Sequence, residues 1–146
     1  MEPGIPLAPH RNVVELACSP AHAFEVFTTG MGTWWDPAYT PDAATFTGID
    51  VEPRTGGAVA MLHGDDRHVF GEVTDWEPGV HYAQTFTLAM GPAAPSALSA
   101  IFNPGVGGGS HVVVEHGGWT GANAHLRDKF GDWPHLLAGY RRAAEA

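Results

Sequence analysis

Positive charge is scarce in this chain. Sixteen Asp and Glu residues face seven Lys and Arg, for a formal net charge of −9 with histidine neutral, and Lys129 is the sole lysine. Nucleic-acid binding depends on clustered cations that neutralise phosphate. Here Arg127, Lys129, Arg141 and Arg142 are scattered over a C-terminal helical pattern, so nucleic acid is excluded as a partner class. Docking to an anionic membrane surface is disfavoured on the same ground. Cysteine is nearly absent: Cys18 stands alone, which rules out an internal disulfide, leaves zinc without a thiolate pair, and suits a cytoplasmic setting. No run of ~18 apolar residues exists, so no membrane span is expected. Met1 to Pro9 lacks the basic and apolar regions of a signal peptide. With three prolines in that stretch, residues 1–10 read as a poorly ordered lead-in to a single domain at 11–146.

What the chain does have is a clear order of elements. Arg11 to Ala17 alternates as a strand. Ser19 then stands as a helix N-cap with Pro20 at the first helical position, and Ala23, Phe24 and Phe27 form a short apolar stripe. Gly30 and Gly32 follow closely enough to stop that helix, and Gly32 to Trp35 reads as a second short helix or turn. Asp36 to Asp42 carries two prolines and reads as a loop. Strands are expected at Thr45–Val51, Gly57–His63, His68–Trp76, Val80–Leu88, Ala97–Phe102 and Ser110–His116. From about Ala122 the pattern is helical, with Leu126, Phe130, Trp133, Leu137 and Tyr140 recurring every three or four positions. A break is expected near Gly131, with Asp132 capping a last helix to about Ala144. Strands joined by tight turns pair antiparallel, and the apolar face of such a sheet needs a lid. The fold class is therefore α+β: a curved antiparallel sheet of six or seven strands around a long C-terminal helix, with two short helices after the first strand.

This order, with these residues, resembles the START-like (SRPBCC) superfamily and its helix-grip fold. Within it the chain is most similar to the activator of heat-shock-protein ATPase homologue family. Three stretches carry the resemblance. One runs from Pro20 through Ala23-Phe24 and Phe27 to Trp34-Trp35. Another is Phe70-Gly71-Glu72-Val73 leading into Glu77-Pro78-Gly79. The last combines Val112, Val114, His116, Gly118 and Trp119 with Gly131-Asp132-Trp133-Pro134 and Leu137. The family has Gly-Trp directly together in its final motif; here Asp132 separates Gly131 from Trp133, unless Trp119 takes that place. The resemblance implies a cavity between sheet and helix, in which superfamily relatives carry hydrophobic ligands or cyclise polyketides, and it implies a chaperone ATPase as a possible protein partner.

The chemistry-bearing residues are few. His63 and His68, like His111 and His116, are five apart, which on one strand places them on opposite faces. No metal site is expected from them. Val112, Val114 and His116 share a face that looks inward, and a lone inward histidine suits either a hydrogen-bonded core position or proton transfer. Gly105 to Gly109 lacks the Lys-Ser/Thr of a phosphate loop. No Gly-x-Ser-x-Gly elbow exists, Ser19 is committed as a cap, and Asp65 and Asp66 read as a solvated turn. Of Trp34 and Trp35, one is expected to pack inward and the other to edge a cavity mouth.

The leading expectation is a non-catalytic carrier or sensor of a small hydrophobic ligand, without cofactor or metal, acting as monomer or homodimer. Alternation and helical spacing nominate Phe27, Trp34, Trp35, Phe70, Tyr82, Gln84, Phe86, Val114, His116, Phe130, Trp133 and Leu137 as cavity lining. A chaperone-ATPase-associated interaction module is the second reading. A cyclase or hydrolase using His116 with Tyr82 or Glu72 is the third; no catalytic residue is assigned, because no nucleophile–base pair is recognisable.

Overall fold

The computed structural model describes residues 8–88 and 94–146. Seven strands form one sheet: β1 (His10–Leu16), β2 (Phe46–Val51), β3 (Ala58–His63), β4 (Asp66–Glu77), β5 (His81–Phe86), β6 (Ser96–Pro104) and β7 (Ser110–Gly117). Their spatial order is β1-β7-β6-β5-β4-β3-β2, and every ladder is antiparallel. The first two strands thus lie at opposite edges. The chain between them crosses the concave face through helix α1 (Pro20–Phe27) and two 3₁₀ turns, Met31–Thr33 and Pro37–Tyr39. The final helix α2 (Trp133–Ala144) packs beside α1 on the same face. This is the curved sheet and C-terminal helix of the helix-grip architecture.

Local chemistry accounts for each element. Ser19 accepts a hydrogen bond from the His22 amide at 3.2 Å and Pro20 opens α1, as the sequence pattern demands. The helix ends at Thr28, whose hydroxyl folds back to the Phe24 carbonyl at 2.8 Å. Gly32 has a different duty from stopping a helix: a Cβ there would lie 2.5 Å from the backbone nitrogen of Ile49, so the chain can approach β2 this closely only without a side chain. Strand alternation sends Tyr82, Gln84 and Phe86 of β5, Leu98, Ala100 and Phe102 of β6, and Val112, Val114 and His116 of β7 to the concave face, all buried.

Three expectations about detail need correction. Asp132 occupies the N-cap position of α2, but its carboxylate makes no cap bond; it accepts the Tyr39 hydroxyl at 2.7 Å instead. A side-chain partner outside the helix competes successfully for a single acidic group. The helical stretch before the break is a 3₁₀ segment, Ala124–Phe130, none of whose side chains is fully buried, and without a buried stripe an α-helix gains little from packing. The loop after Trp35 contains the Pro37–Tyr39 turn, capped by the Asp36 carboxylate on the Ala38 amide at 2.9 Å. The connection expected between β5 and β6 lies partly outside the described residues.

Two aromatic clusters fill the space between layers. Phe27 is the hub of the first, with ring centroids 5.2 Å from Tyr140, 5.4 Å from Trp34, 5.8 Å from Phe102 and 6.0 Å from Tyr82. Such edge-on and tilted pairs contribute about 0.5–1.5 kcal/mol each beyond their burial. Phe86 centres the second, with His116 at 4.5 Å, Phe130 at 5.6 Å and Phe70 at 5.7 Å. Beneath it, Gly71 allows β4 and β5 to close: a Cβ would overlap the Thr85 carbonyl oxygen and come within 2.6 Å of Gln84 Nε2. Gly71→Ala is expected to cost about 2–4 kcal/mol, because backbone and a buried amide must both shift. Chemical denaturation measures this, and a loss below about 0.5 kcal/mol contradicts it.

Candidate functional site

At one end of the concave face a cavity of about 730 Å³ opens between the Pro37–Tyr39 turn, the β4 and β5 strands, and the start of α2. Trp35, Phe86, Phe130 and Trp133 form its aromatic walls, with Leu88 and Leu136 between them. Ala38, Tyr39, Thr40 and Pro41 line it from the turn, His68 and Val69 from β4, and Thr87 from just beyond β5; Lys129 and Asp132 stand on the segment that enters α2. The walls are apolar and the charged groups few, the composition typical of small-molecule sites.

The twelve residues nominated from the sequence divide into two sets. Trp35, Phe86, Phe130 and Trp133 line this cavity. Phe27, Trp34, Phe70, Tyr82, Gln84, Val114, His116 and Leu137 are buried in the packed core beside or beneath it and are not among its lining residues. The two neighbouring tryptophans part ways. Trp34 turns to Phe27 and Tyr140 and donates its indole N–H to the Val26 carbonyl at 2.9 Å, whereas Trp35 faces the cavity and donates to the Tyr39 carbonyl at 3.1 Å. Of the lining residues absent from the nominated set, Ala38, Tyr39 and Lys129 sit in 3₁₀ segments, His68 and Val69 in β4, and Leu136 in α2. The Pro37–Tyr39 turn is too short for any repeat, and Lys129 stands outside the apolar repeat that marks its neighbour Phe130.

The mouth is fastened by polar contacts between the turn and α2. The Tyr39 hydroxyl donates to Asp132 at 2.7 Å, His135 Nε2 meets Asp36 at 2.7 Å, and the Tyr39 and His135 rings stand edge to face at 5.8 Å. The hydrogen bond to His135 holds the Asp36 carboxyl below its usual range. The hydrogen bond to Asp132 raises Tyr39, so that hydroxyl keeps its proton at neutral pH.

His116 is the structural keystone beneath the cavity. Trp133 Nε1–H donates to His116 Nδ1 at 3.1 Å. An indole nitrogen is only a donor, so Nδ1 carries no proton and Nε2 must. Nε2–H then donates to Ser96 Oγ at 2.6 Å, and the serine hydroxyl passes its own hydrogen to the Phe86 carbonyl at 3.3 Å. Trp119 adds a bond to the His116 carbonyl at 3.0 Å. Thus both tryptophans that could fill the final sequence motif donate to this one residue. Burial, aided by the electrostatic influence of His10, pushes the His116 pKa down to about 3. The imidazole is neutral, with both nitrogens occupied. Its expected catalytic companions are not arranged for it: Tyr82 donates to Gln84 Oε1 at 2.6 Å, and Glu72 is exposed on the outer face.

One cluster escaped the sequence reading altogether. Asp75, Glu77 and His81 meet across the β4–β5 turn, with their ligating atoms within 4.8 Å of one another. Spacing along the chain hides it, because the turn brings the residues together. His81 pairs with Asp75, and the neighbouring Asp75 carboxylate raises Glu77. It is a partly solvated ion cluster on the surface, remote from the cavity-lining residues.

The model of the family described as Activator of Hsp90 ATPase homolog 1-like protein matches residues 17–139. The chain belongs to this family. No curated protein matches the sequence. Among solved structures, this member of the activator family is similar to the Aha1 dimer from Colwellia psychrerythraea, with 17% identity, 94% of this chain and 96% of that one covered, and a TM-score of 0.66. It is also similar to PFC0360w, an HSP90 activator from Plasmodium falciparum, with 14% identity, 90% and 91% covered, and a TM-score of 0.63. A third neighbour is the anthrahydroquino-γ-pyrone synthase Txn09 complexed with SUM, at 24% identity, 96% and 99% covered, and a TM-score of 0.60. At these identities the likeness establishes the shared fold. Among the described residues no helix is long and apolar enough to cross a membrane.

The neutral His116 sets a pH signature for this activator-family domain. An unfolded histidine binds its proton near ~6.5, the folded one only near about 3. Between those values the unfolded state holds more protons, so this contribution to stability is complete above ~6.5 and is lost progressively as pH falls toward 3. In NMR titration the His116 ring signals should stay unchanged from pH 8 to pH 5. A His116 midpoint near 6.5 would contradict the assignment.

Proposed function

We propose that the protein binds a small hydrophobic molecule in the cavity between the sheet and α2, as a non-catalytic carrier or sensor. The observation that carries this reading is the cavity itself: about 730 Å³, walled by Trp35, Phe86, Phe130 and Trp133. Its volume falls within the ~300–1,000 Å³ range of small-molecule sites, and aromatic walls favour ring-containing ligands. The likeness to a synthase named for an anthrahydroquino-γ-pyrone supports the same class of guest. The chemistry of the lining supports binding over catalysis. Tyr39 is the one hydroxyl there hydrogen-bonded to a carboxylate among the described residues, and its pKa is raised rather than lowered, the reverse of an activated nucleophile.

Native mass spectrometry of the protein purified from its own host should show a co-purifying small molecule. Tryptophan quenching by the neutral probe N-phenyl-1-naphthylamine should report binding, since two indoles form the walls. Ala38 is exposed on the turn, so Ala38→Trp fills the mouth without touching the core. It should weaken probe binding at least about 10-fold while stability stays within about 0.5 kcal/mol. Full probe affinity in that variant would place binding elsewhere.

A second reading rests on the family match and the HSP90-activator neighbour: association with a chaperone ATPase. It predicts a change in ATPase turnover when the protein is added to the host's heat-shock ATPase. Unchanged turnover together with no complex in a pull-down would remove it.

A further inference from the structure

We propose that the cavity's ligand is a flat aromatic molecule bearing an anionic oxygen, a carboxylate or phenolate, and that Lys129 is its counter-ion. The inference rests on the cavity being the binding site and adds the chemical class of what enters it. The distribution of positive charge carries it. Among the described residues, Arg11, Arg54, Arg67, Arg127 and Arg141 each lie within 4.0 Å of a carboxylate. Lys129 has no such partner there, although the chain holds sixteen acids. Arg142, likewise without one, is not a lining residue. The one lysine is thus also the one Lys or Arg that lines the cavity.

Its side chain is directed as well as unpaired. The ammonium lies 5.8 Å from the centroid of the Phe130 ring, within the range of cation–π attraction, and Phe130 is itself a wall. Asp132, the lining carboxylate, accepts the Tyr39 hydroxyl and does not pair with Lys129 within 4.0 Å. A flat ring system stacked among Trp35, Phe86 and Trp133 would bring a terminal oxygen to the rim where Lys129 stands. At that rim water still reaches the ion pair, so no charge is buried without a partner. The aromatic walls supply affinity, and the lysine selects the anion from its neutral analogue.

Paired probes test this: 2-naphthoate and the uncharged 2-naphthamide share one ring system. Tryptophan quenching at pH 7.5 gives a Kd for each with the wild-type protein, K129Q and K129R. The wild-type protein is expected to prefer naphthoate about 5-fold, the discrimination an exposed ion pair supplies. K129Q should abolish that preference, weakening naphthoate more than naphthamide. K129R should retain it, and added 0.5 M NaCl should reduce it. If both probes quench the wild-type protein but K129Q leaves the ratio unchanged, the charge assignment is overturned while the cavity remains the binding site. If neither probe quenches, both the cavity reading and this inference fail.

Discussion

The protein depends on a single buried proton arrangement. His116 must be neutral, with hydrogen on Nε2, for three elements to meet where they do. Trp133 from the first turn of α2, Ser96 from the start of β6 and the Phe86 carbonyl from the end of β5 are joined through that ring in one direction of donation. A protonated ring would point Nδ1–H at an indole N–H, and two donors cannot bond. The chain therefore seats its final helix on the sheet through a polar relay with no unpaired member, set among aromatic rings. In such surroundings each bond is strong because water does not compete, and each omission would be costly.

This arrangement also explains why the cavity lies where it does. Below the relay, Phe27, Trp34, Tyr82 and Tyr140 are buried and pack in edge-on and tilted pairs. Above it, the concave face is covered by a short turn rather than by a long helix. The turn is tied down by contacts at its ends, Tyr39 with Asp132 and His135 with Asp36, which fasten a rim without filling the space behind it. α2 itself comes close at the other end, where a Cβ on Gly139 would lie 2.9 Å from the Trp34 carbonyl oxygen. A glycine in mid-helix costs about 1 kcal/mol in propensity relative to alanine; here it permits that approach. The domain is thus tight at one end and open at the other.

The sheet and both α-helices were legible in the sequence because their signals are periodic or positional. Alternation marked the first strand, turn residues bounded the others, and Ser19-Pro20 marked the start of α1. The inward face of β7 followed from Val112, Val114 and His116 by parity alone. The cavity was legible only in part, for a physical reason. Parity and helical spacing tell which side chains face inward, but they do not say whether the opposing layer fills the gap. Phe27 and Trp35 look alike by that test, yet one is a packing hub and the other a wall. Tyr39 belongs to a three-residue 3₁₀ turn too short for any repeat, Lys129 stands outside the apolar repeat that marks Phe130 beside it, and the capture of Asp132 by Tyr39, 93 positions apart, has no local signature.

The sheet order has a consequence for how the chain reaches this state. Among the described strands β1 finds its only neighbour in β7, pairing His10 with His116 across more than a hundred residues. During synthesis the first strand must wait for nearly the last. The intervening hairpins from β2 to β7 can zip locally, each to its predecessor, while β1 has no partner to zip against. Closing such a long loop is an entropic search. A nascent chain therefore carries an apolar strand, Val13 to Leu16, without its edge for most of its elongation. Among the described elements, this strand has the greatest need of protection before the fold is complete.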